Sequence, residues 1–373
     1  MPFVSQQGDQ IPRSASSGGS LAALGGRAGS GSGAAGGGAA GGGGAAAGDG
    51  AAGGAAGGGG GGGGPSVADS FHRDRGHTAY TGPASGEGAS APAIGSGVFT
   101  TPDGTKLEIR DVWGDTVEHE MAEVRKLLVA EPKPYNYVAM DTEFPGVVAR
   151  PIGSFSTSND YQYQTLRCNV DLLKLIQVGV SFFNEDGEFA EGCPTWQFNF
   201  KFNLDEDMYA QDSIDMLVRS GINFQRHEDN GIHVAHFGEL MMSSGLVLMP
   251  NVRWISFHSG YDFGYLIKLL TRSPLPAEET RFFDLLHTYF PCIYDIKYMM
   301  MSCDGLRGGL QKLGEDLNVT RIGPMHQAGS DSLLTAQTFF ELKRQYFRNY
   351  VEDAKFVGYL YGLGTAIEAK GEA

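Results

Sequence analysis

Hydrophobic positions recur with two different periods between about residue 105 and residue 364. After a short extended lead-in at residues 106–112, apolar residues Met121, Val124, Leu127 and Leu128 follow helical spacing and predict an amphipathic helix. Apolar runs at residues 135–144, 172–183 and 195–203 predict three strands. We expect these three strands to be antiparallel neighbours, since short connections favour that pairing. Further helices are predicted at residues 210–221, 231–245, 261–271 and 331–347, and further strands at residues 252–258 and 292–300.

This order of elements predicts the fold class. Three antiparallel strands come first, and strands that alternate with helices follow. Such a pattern favours an α/β fold with one mixed sheet and helices on both faces. It is typical of a ribonuclease-H-like domain, in which parallel strands follow the antiparallel ones.

Composition separates the start of the chain from the rest. Of the 56 glycines, 33 fall within the first 100 residues, and large apolar residues are rare there. Such a segment buries too little surface to offset the entropy of ordering it. We therefore predict a disordered Gly/Ala-rich arm at residues 1–104, one folded domain at residues 105–364 and a short tail at residues 365–373. We expect no membrane association, because neither a secretion signal nor a run of ~18 apolar residues is found.

The charge narrows the choice of partners. The chain carries 28 Lys and Arg against 43 Asp and Glu, a net charge of −15. This balance argues against a broad basic face for polyanion binding. A nucleic-acid enzyme stays open, since acids around metal ions can create a local cationic site. The four cysteines show no C-x-x-C spacing, so we expect reduced thiols in a cytoplasmic protein that can also be nuclear.

Asp141 and Glu143 are the first candidate site residues. They end an apolar strand with one residue between them, so both carboxylates project from the same face. The spacing alone is weak evidence, because Asp186 and Glu188 repeat it within an acidic turn that we expect to be solvated. Two readings stay open at this point: a salt-bridged or capping pair at a strand end, or a site for a cation.

Two later segments contribute further candidates. Asp262 follows a predicted strand and opens a helix, where an acid can also simply complement the helix N-terminus. Asp331 opens the last long helix, and His326 precedes it by five residues. Gly329 favours a loop for His326, which would then approach Asp331 from outside the helix. An ordinary loop histidine is the alternative.

Together, the four acids suit two hard divalent cations, which prefer oxygen ligands. Two such ions can stabilise the attacking and leaving oxygens of a displacement at phosphorus. A histidine that is neutral near pH 7 can take the proton of the attacking water. The sequence therefore favours a two-metal phosphodiesterase site.

The segments at residues 135–153, 256–270 and 321–335 resemble the Caf/Pop deadenylase family, a histidine-containing branch of the DEDD exonucleases. The resemblance extends from about residue 109 to residue 364. It implies that Asp141, Glu143, Asp262 and Asp331 are metal ligands and that His326 is the general base. The expected cofactors are two divalent metal ions, Mg²⁺ first and Mn²⁺ or others second.

The same resemblance implies a 3′–5′ exoribonuclease that shortens mRNA poly(A) tails and releases 5′-AMP. The implied partners are poly(A) RNA, the scaffold subunit of the Ccr–Not complex, a second deadenylase and antiproliferative adaptor proteins. The alternatives are a structural subunit with weak activity and a general RNA or DNA 3′ exonuclease. Phe144 is a candidate for stacking on a base, with packing in the core as the alternative.

Overall fold

The computed structural model describes residues 96–101 and 104–364. Within them the strands are β1 (Gly97–Thr100), β2 (Lys106–Val112), β3 (Tyr137–Glu143), β4 (Gln177–Phe183), β5 (Thr195–Asn199), β6 (Arg253–Ser256) and β7 (Ile293–Asp295). The helices are α1 (Val117–Leu128), α2 (Ser158–Leu172), α3 (Gln211–Arg219), α4 (Phe224–Asn230), α5 (Val234–Met242), α6 (Gly260–Thr271), α7 (Glu279–Tyr289), α8 (Ile296–Met299), α9 (Leu310–Asp316), α10 (Ala328–Tyr346) and α11 (Asp353–Phe356).

The seven strands form one mixed sheet in the order β1-β2-β5-β4-β3-β6-β7. Strands β3, β4 and β5 pair antiparallel, as predicted. Strand β6 joins β3 in parallel and β7 joins β6 in parallel, so parallel strands follow the antiparallel ones along the chain. At the other edge β2 runs parallel to β5 and forms a hairpin with β1.

Helices cover both faces of this sheet. Val138 and Met140 of β3 belong to a core that includes Met121 of α1, whereas Ala139 belongs to a second core that includes Leu333 of α10. Successive side chains of a strand point to opposite faces, so α1 and α10 lie on opposite sides of β3. The predicted α/β class, with a mixed sheet and helices on both faces, is confirmed.

Several elements differ from the prediction: helices α4, α7 and α9 were not predicted, and two further differences lie around β3 and β7. The β3–β4 connection is long and contains α2, whose sequence is too polar to show a clear apolar stripe. Thr157 begins this helix by accepting a hydrogen bond from the backbone N–H of Asp160. The run at residues 292–300 is a strand only as far as Asp295, because the Asp295 side chain caps α8 by accepting from Lys297 N and Tyr298 N.

The sheet begins at Gly97, before the domain boundary at residue 105 that was predicted from composition. Strand β1 pairs with β2, so the boundary at residue 105 falls inside this hairpin. Residues 1–95 of the predicted arm and the tail at residues 365–373 lie outside the described residues. The four cysteines are free thiols, as expected. Across residues 96–101 and 104–364, every helix is too short or too polar to cross a membrane.

Candidate active site

The end of β3 forms the floor of the candidate site. Asp141 and Glu143 lie two residues apart on this strand, so they share the face of Ala139, against which α10 packs. Glu143 is buried and Asp141 is partly exposed. Both carboxylates therefore face the N-terminal end of α10.

A glycine allows α10 to begin directly on the sheet. Gly179 of β4 is the register partner of Asp141. A Cβ atom at this position would lie 1.8 Å from the carbonyl oxygen of Ala328, the first residue of α10. Because the helix backbone occupies the space of a side chain, the first turn of α10 is brought next to Asp141 and Glu143.

Glu143, His326 and Asp331 meet at this junction. Each offers one ligand atom, a carboxylate oxygen or an imidazole nitrogen, and these atoms all lie within 4.8 Å of one another. Glu143 and Asp331 are both buried. Two buried carboxylates at this distance repel each other unless a cation or a proton compensates them. This donor set therefore fits a divalent cation that prefers oxygen ligands.

Asp331 lies in the first turn of α10, and both of its carboxylate oxygens are held. Oδ1 accepts a hydrogen bond from Arg321 Nη1 at 2.5 Å, and the two charged groups form a salt bridge. Oδ2 accepts a hydrogen bond from the backbone N–H of His326 at 3.0 Å. The helix start thus fixes the orientation of this carboxylate.

Asp262 reaches the same end of β3 from the opposite face of the sheet. It lies in the first turn of α6 and is buried. Its Oδ1 accepts hydrogen bonds from Thr142 N at 3.0 Å and Thr142 Oγ1 at 2.6 Å. Thr142, between Asp141 and Glu143, therefore ties Asp262 to the strand that carries the other two acids.

The loop before α6 is held by a further carboxylate. Asp295 is buried and accepts hydrogen bonds from His258 N at 2.9 Å and Ser259 N at 3.3 Å. Burial raises the pKa of Asp295, and its backbone hydrogen bonds oppose that rise. This contact connects the end of β7 to the residues that lead into Asp262.

His326 lies in the loop before α10, as predicted, and adopts a left-handed backbone conformation with φ of 61°. Gly329, which was expected in this loop, instead lies in the first turn of α10. Ser220 Oγ donates a hydrogen bond to the His326 carbonyl oxygen at 2.9 Å. The next residue, Gln327, is buried and its Oε1 accepts from Gln177 Nε2 and Gln197 Nε2. These contacts fix the loop that carries the imidazole.

The structure thus brings Glu143, His326 and Asp331 together. It places Asp141 two residues before Glu143 on β3 and joins Asp262 to Thr142 of the same strand. It also adds three residues that the sequence reasoning missed: Thr142, Arg321 and Gln327. One signal for Gln327 was available, because polar Gln177 and Gln197 interrupt otherwise apolar strands and need buried partners.

Phe144 and the second D-x-E segment each have partners within the protein. The Phe144 ring stacks on Tyr261 at 5.1 Å between ring centroids and lies against Tyr265 at 5.3 Å. These contacts agree with the packing alternative, and base stacking stays a prediction. In the second D-x-E segment, Asp186 is exposed and forms an ion pair with Lys133 across the surface, which agrees with an acidic surface turn.

A mixed α/β sheet with acids and a histidine that meet at the end of an inner strand is typical of metal-dependent phosphodiester hydrolases. Residues 112–237 and 242–339 match the model of the CAF1 family ribonucleases, and the chain belongs to this family.

Several relatives and solved structures are similar to this chain. The poly(A) ribonuclease pop2 of Schizosaccharomyces pombe is 52% identical over 257 residues, which cover 69% of this chain and 75% of that protein. A probable CCR4-associated factor 1 homolog 7 of Arabidopsis thaliana is 51% identical over 266 residues, 69% of this chain and 94% of that protein.

Two solved structures are similar to this chain in sequence as well as in fold. The structure of S. pombe Pop2p in a Mg²⁺- and Mn²⁺-bound form is 52% identical, with a TM-score of 0.66, and covers 68% of this chain and 99% of that chain. CAF1 co-crystallised with the yeast NOT1 MIF4G domain is 33% identical, with a TM-score of 0.58. The match covers 70% of this chain and 99% of that chain. These matches agree with the predicted ribonuclease-H-like fold.

Proposed function

We propose that this chain is a poly(A)-specific 3′–5′ exoribonuclease that shortens mRNA poly(A) tails by phosphodiester hydrolysis and releases 5′-AMP. The observation that carries the proposal is the approach of Glu143, His326 and Asp331 within 4.8 Å at the end of β3. Membership in the CAF1 family ribonucleases and 52% identity to a poly(A) ribonuclease support the reaction and the substrate.

The residues proposed to hold two divalent ions, Mg²⁺ first and Mn²⁺ second, are Asp141, Glu143, Asp262 and Asp331. When bound, such ions supply positive charge to the attacking and leaving oxygens at phosphorus. The geometry of the acids supports this assignment, because Glu143 and Asp331 each offer a carboxylate oxygen within 4.8 Å of the other and hard divalent cations prefer oxygen ligands. The metal-bound form of S. pombe Pop2p supports the choice of ions.

His326 is the proposed general base, which would take a proton from the attacking water. Its position supports this role, because its imidazole lies beside Glu143 and Asp331 while its backbone N–H and C=O are both hydrogen-bonded. A fixed imidazole can accept a proton at one defined ring nitrogen. Phe144 follows Glu143 and is proposed to stack on a base of the RNA.

As a partner, we propose the scaffold of the Ccr–Not complex, supported by the co-crystal of CAF1 with the NOT1 MIF4G domain. A second deadenylase and antiproliferative adaptors are expected as additional partners. The proposed location is the cytoplasm, with the nucleus as a second compartment.

The test is a gel assay on A-tailed RNA labelled at the 5′ or the 3′ end, with Mg²⁺ or EDTA. We expect stepwise shortening of the 5′-labelled strand, immediate release of labelled mononucleotide from the 3′-labelled one, and no reaction in EDTA. Changes outside the ligand set of metal sites already cost ~10–100-fold, so Asp141→Asn should cost more. Asp186→Asn is the matched control, because Asp186 occupies the second D-x-E segment on the surface.

Each alternative has its own outcome. Equal rates on a tail of deoxyadenosine or on mixed RNA would identify a general 3′ exonuclease. Failure of the purified protein to release AMP with either ion would identify a structural subunit. Equal losses in Asp141→Asn and Asp186→Asn would contradict the assigned site.

A further inference from the structure

We propose that Arg321 is a positioning residue that acts as an internal counter-ion of the metal site, lowering metal affinity while it holds Asp331 in its productive orientation. The inference rests on the proposed role of Asp331 as a metal ligand. Arg321 Nη1 lies 2.5 Å from Asp331 Oδ1, and the two side chains are only 13% and 11% exposed. A salt bridge this buried is weakly screened by solvent.

The guanidinium group is clamped by contacts beyond Asp331. Arg321 Nε donates to Gln311 Oε1 of α9 at 2.6 Å, and Nη1 also reaches Ser330 Oγ at 3.3 Å. Ser330 Oγ in turn donates to the Ile322 carbonyl oxygen at 2.7 Å. These hydrogen bonds hold the loop between α9 and α10 against the first turn of α10. They place the positive charge of Arg321 beside Asp331.

This geometry has two opposite consequences for a metal ion. A cation at the site shares the Asp331 carboxylate with Arg321, and the two positive charges repel, so Arg321 weakens metal binding. The same salt bridge, together with the N–H of His326 on Oδ2, fixes the carboxylate plane. Each carboxylate oxygen has two lone pairs, so both oxygens keep one available for a metal.

The test compares Arg321→Gln and Arg321→Lys with the wild type in three assays: Mn²⁺ binding by calorimetry, Tm in EDTA and in Mn²⁺, and turnover at saturating Mn²⁺. In Arg321→Gln we expect Mn²⁺ to bind roughly tenfold more tightly, since a unit charge within several ångströms is removed. The Tm in EDTA should fall by roughly 5–10 °C, because Asp331 is left buried and uncompensated. Turnover should fall because Asp331 is no longer held.

Arg321→Lys separates charge from geometry. Lysine keeps the positive charge but lacks the planar fork that contacts Gln311, Ser330 and Asp331 together. We expect wild-type Mn²⁺ affinity with reduced turnover. The matched control is Arg110→Gln, which removes an arginine from the buried Glu120 on the α1 side of the sheet and should lower Tm without changing Mn²⁺ affinity.

Unchanged or weaker Mn²⁺ binding in Arg321→Gln would overturn the proposal and leave Arg321 a purely structural residue. Failure of the proposed function has a different signature. In that case the wild type itself would bind no Mn²⁺ and release no AMP, whatever residue stands at position 321.

Discussion

Gly179→Ala is the substitution that most directly tests how the site is built. The added methyl group points at backbone atoms and not at a flexible side chain. It would lie 1.8 Å from Ala328 O, 2.1 Å from Ala328 C and 2.5 Å from Gly329 N. The N-terminal turn of α10 must therefore move away from β4 for the protein to fold.

The size of this movement follows from the contact distances. Ordinary contacts of a Cβ atom begin near 3.4 Å, so the carbonyl oxygen at 1.8 Å must retreat by about 1.6 Å. His326 and Asp331 flank this turn and would move with it, whereas Asp141 and Glu143 stay on β3. A misplacement of ~1 Å can cost ~10²-fold in rate, so we expect turnover to fall at least ~100-fold. Overpacking should also cost ~1–3 kcal/mol of stability.

The assay measures 5′-AMP release at saturating Mg²⁺, the Tm and the folded fraction by circular dichroism. Gly314→Ala is the matched control, since its methyl group would meet the Leu334 side chain at 3.2 Å and no backbone atom closer than 3.5 Å. Gly329→Ala forms an intermediate case, because the nearest atom is the Ile109 Cγ2 at 2.7 Å. We expect losses in turnover in the order Gly179→Ala, Gly329→Ala, Gly314→Ala.

If Gly179→Ala folded with wild-type Tm and wild-type turnover, α10 would not rest on β4 as described. If Gly179→Ala had a lower Tm but wild-type turnover per folded molecule, the contact between β4 and α10 would not control the geometry of the site. Gly329→Ala keeps the test informative if Gly179→Ala does not fold.

Three further predictions concern single side chains. His326→Ala should lower turnover by roughly 10²–10⁴-fold with little change in Mn²⁺ affinity, and a large loss of affinity would make His326 a ligand. Thr142→Val should lower turnover by ~10–100-fold through loss of the 2.6 Å bond to Asp262, and Thr142→Ser should restore it; equal rates would exclude a positioning role. Burial lowers the pKa of His227 from 6.5 to about 4, so the unfolded state gains a proton that the folded state does not. As the pH is lowered from 6.5 to 4, the free energy of unfolding measured in urea should therefore fall by up to ~1.4 kcal/mol per pH unit. In His227→Gln this decrease should be smaller.

The elements of the site could be predicted because their signals are local. Asp141 and Glu143 lie at the end of an apolar strand and Asp262 lies in the first turn of a helix after a strand, as predicted. Asp331 lies in the first turn of the last long helix, which begins at Ala328, three residues before the predicted start. Each position follows from the period of the apolar residues around it. The sequence therefore indicated which strand and helix ends carry the acids.

The partners of these acids could not be predicted, since they depend on contacts that are distant in sequence. Thr142 and Asp262 are 120 residues apart, and nothing in the pattern of either segment specifies the hydrogen bond. Helix α2 was missed for a different reason. Its polar face dominates the local pattern, and its packing is decided by tertiary contacts, which override propensity.

The residues that were missed explain how the acids of the site are held in position. Close carboxylates repel, so a site of four acids tends to open unless other groups hold each acid in place. Here Asp262 is held by Thr142, and Asp331 is held by Arg321 and the backbone of His326. Most of these donors are neutral groups, whereas Arg321 brings a positive charge. A site prepared in this way spends little free energy on rearrangement when a cation binds. The acids are therefore preorganised by their neighbours, and removing any one of those neighbours should lower turnover.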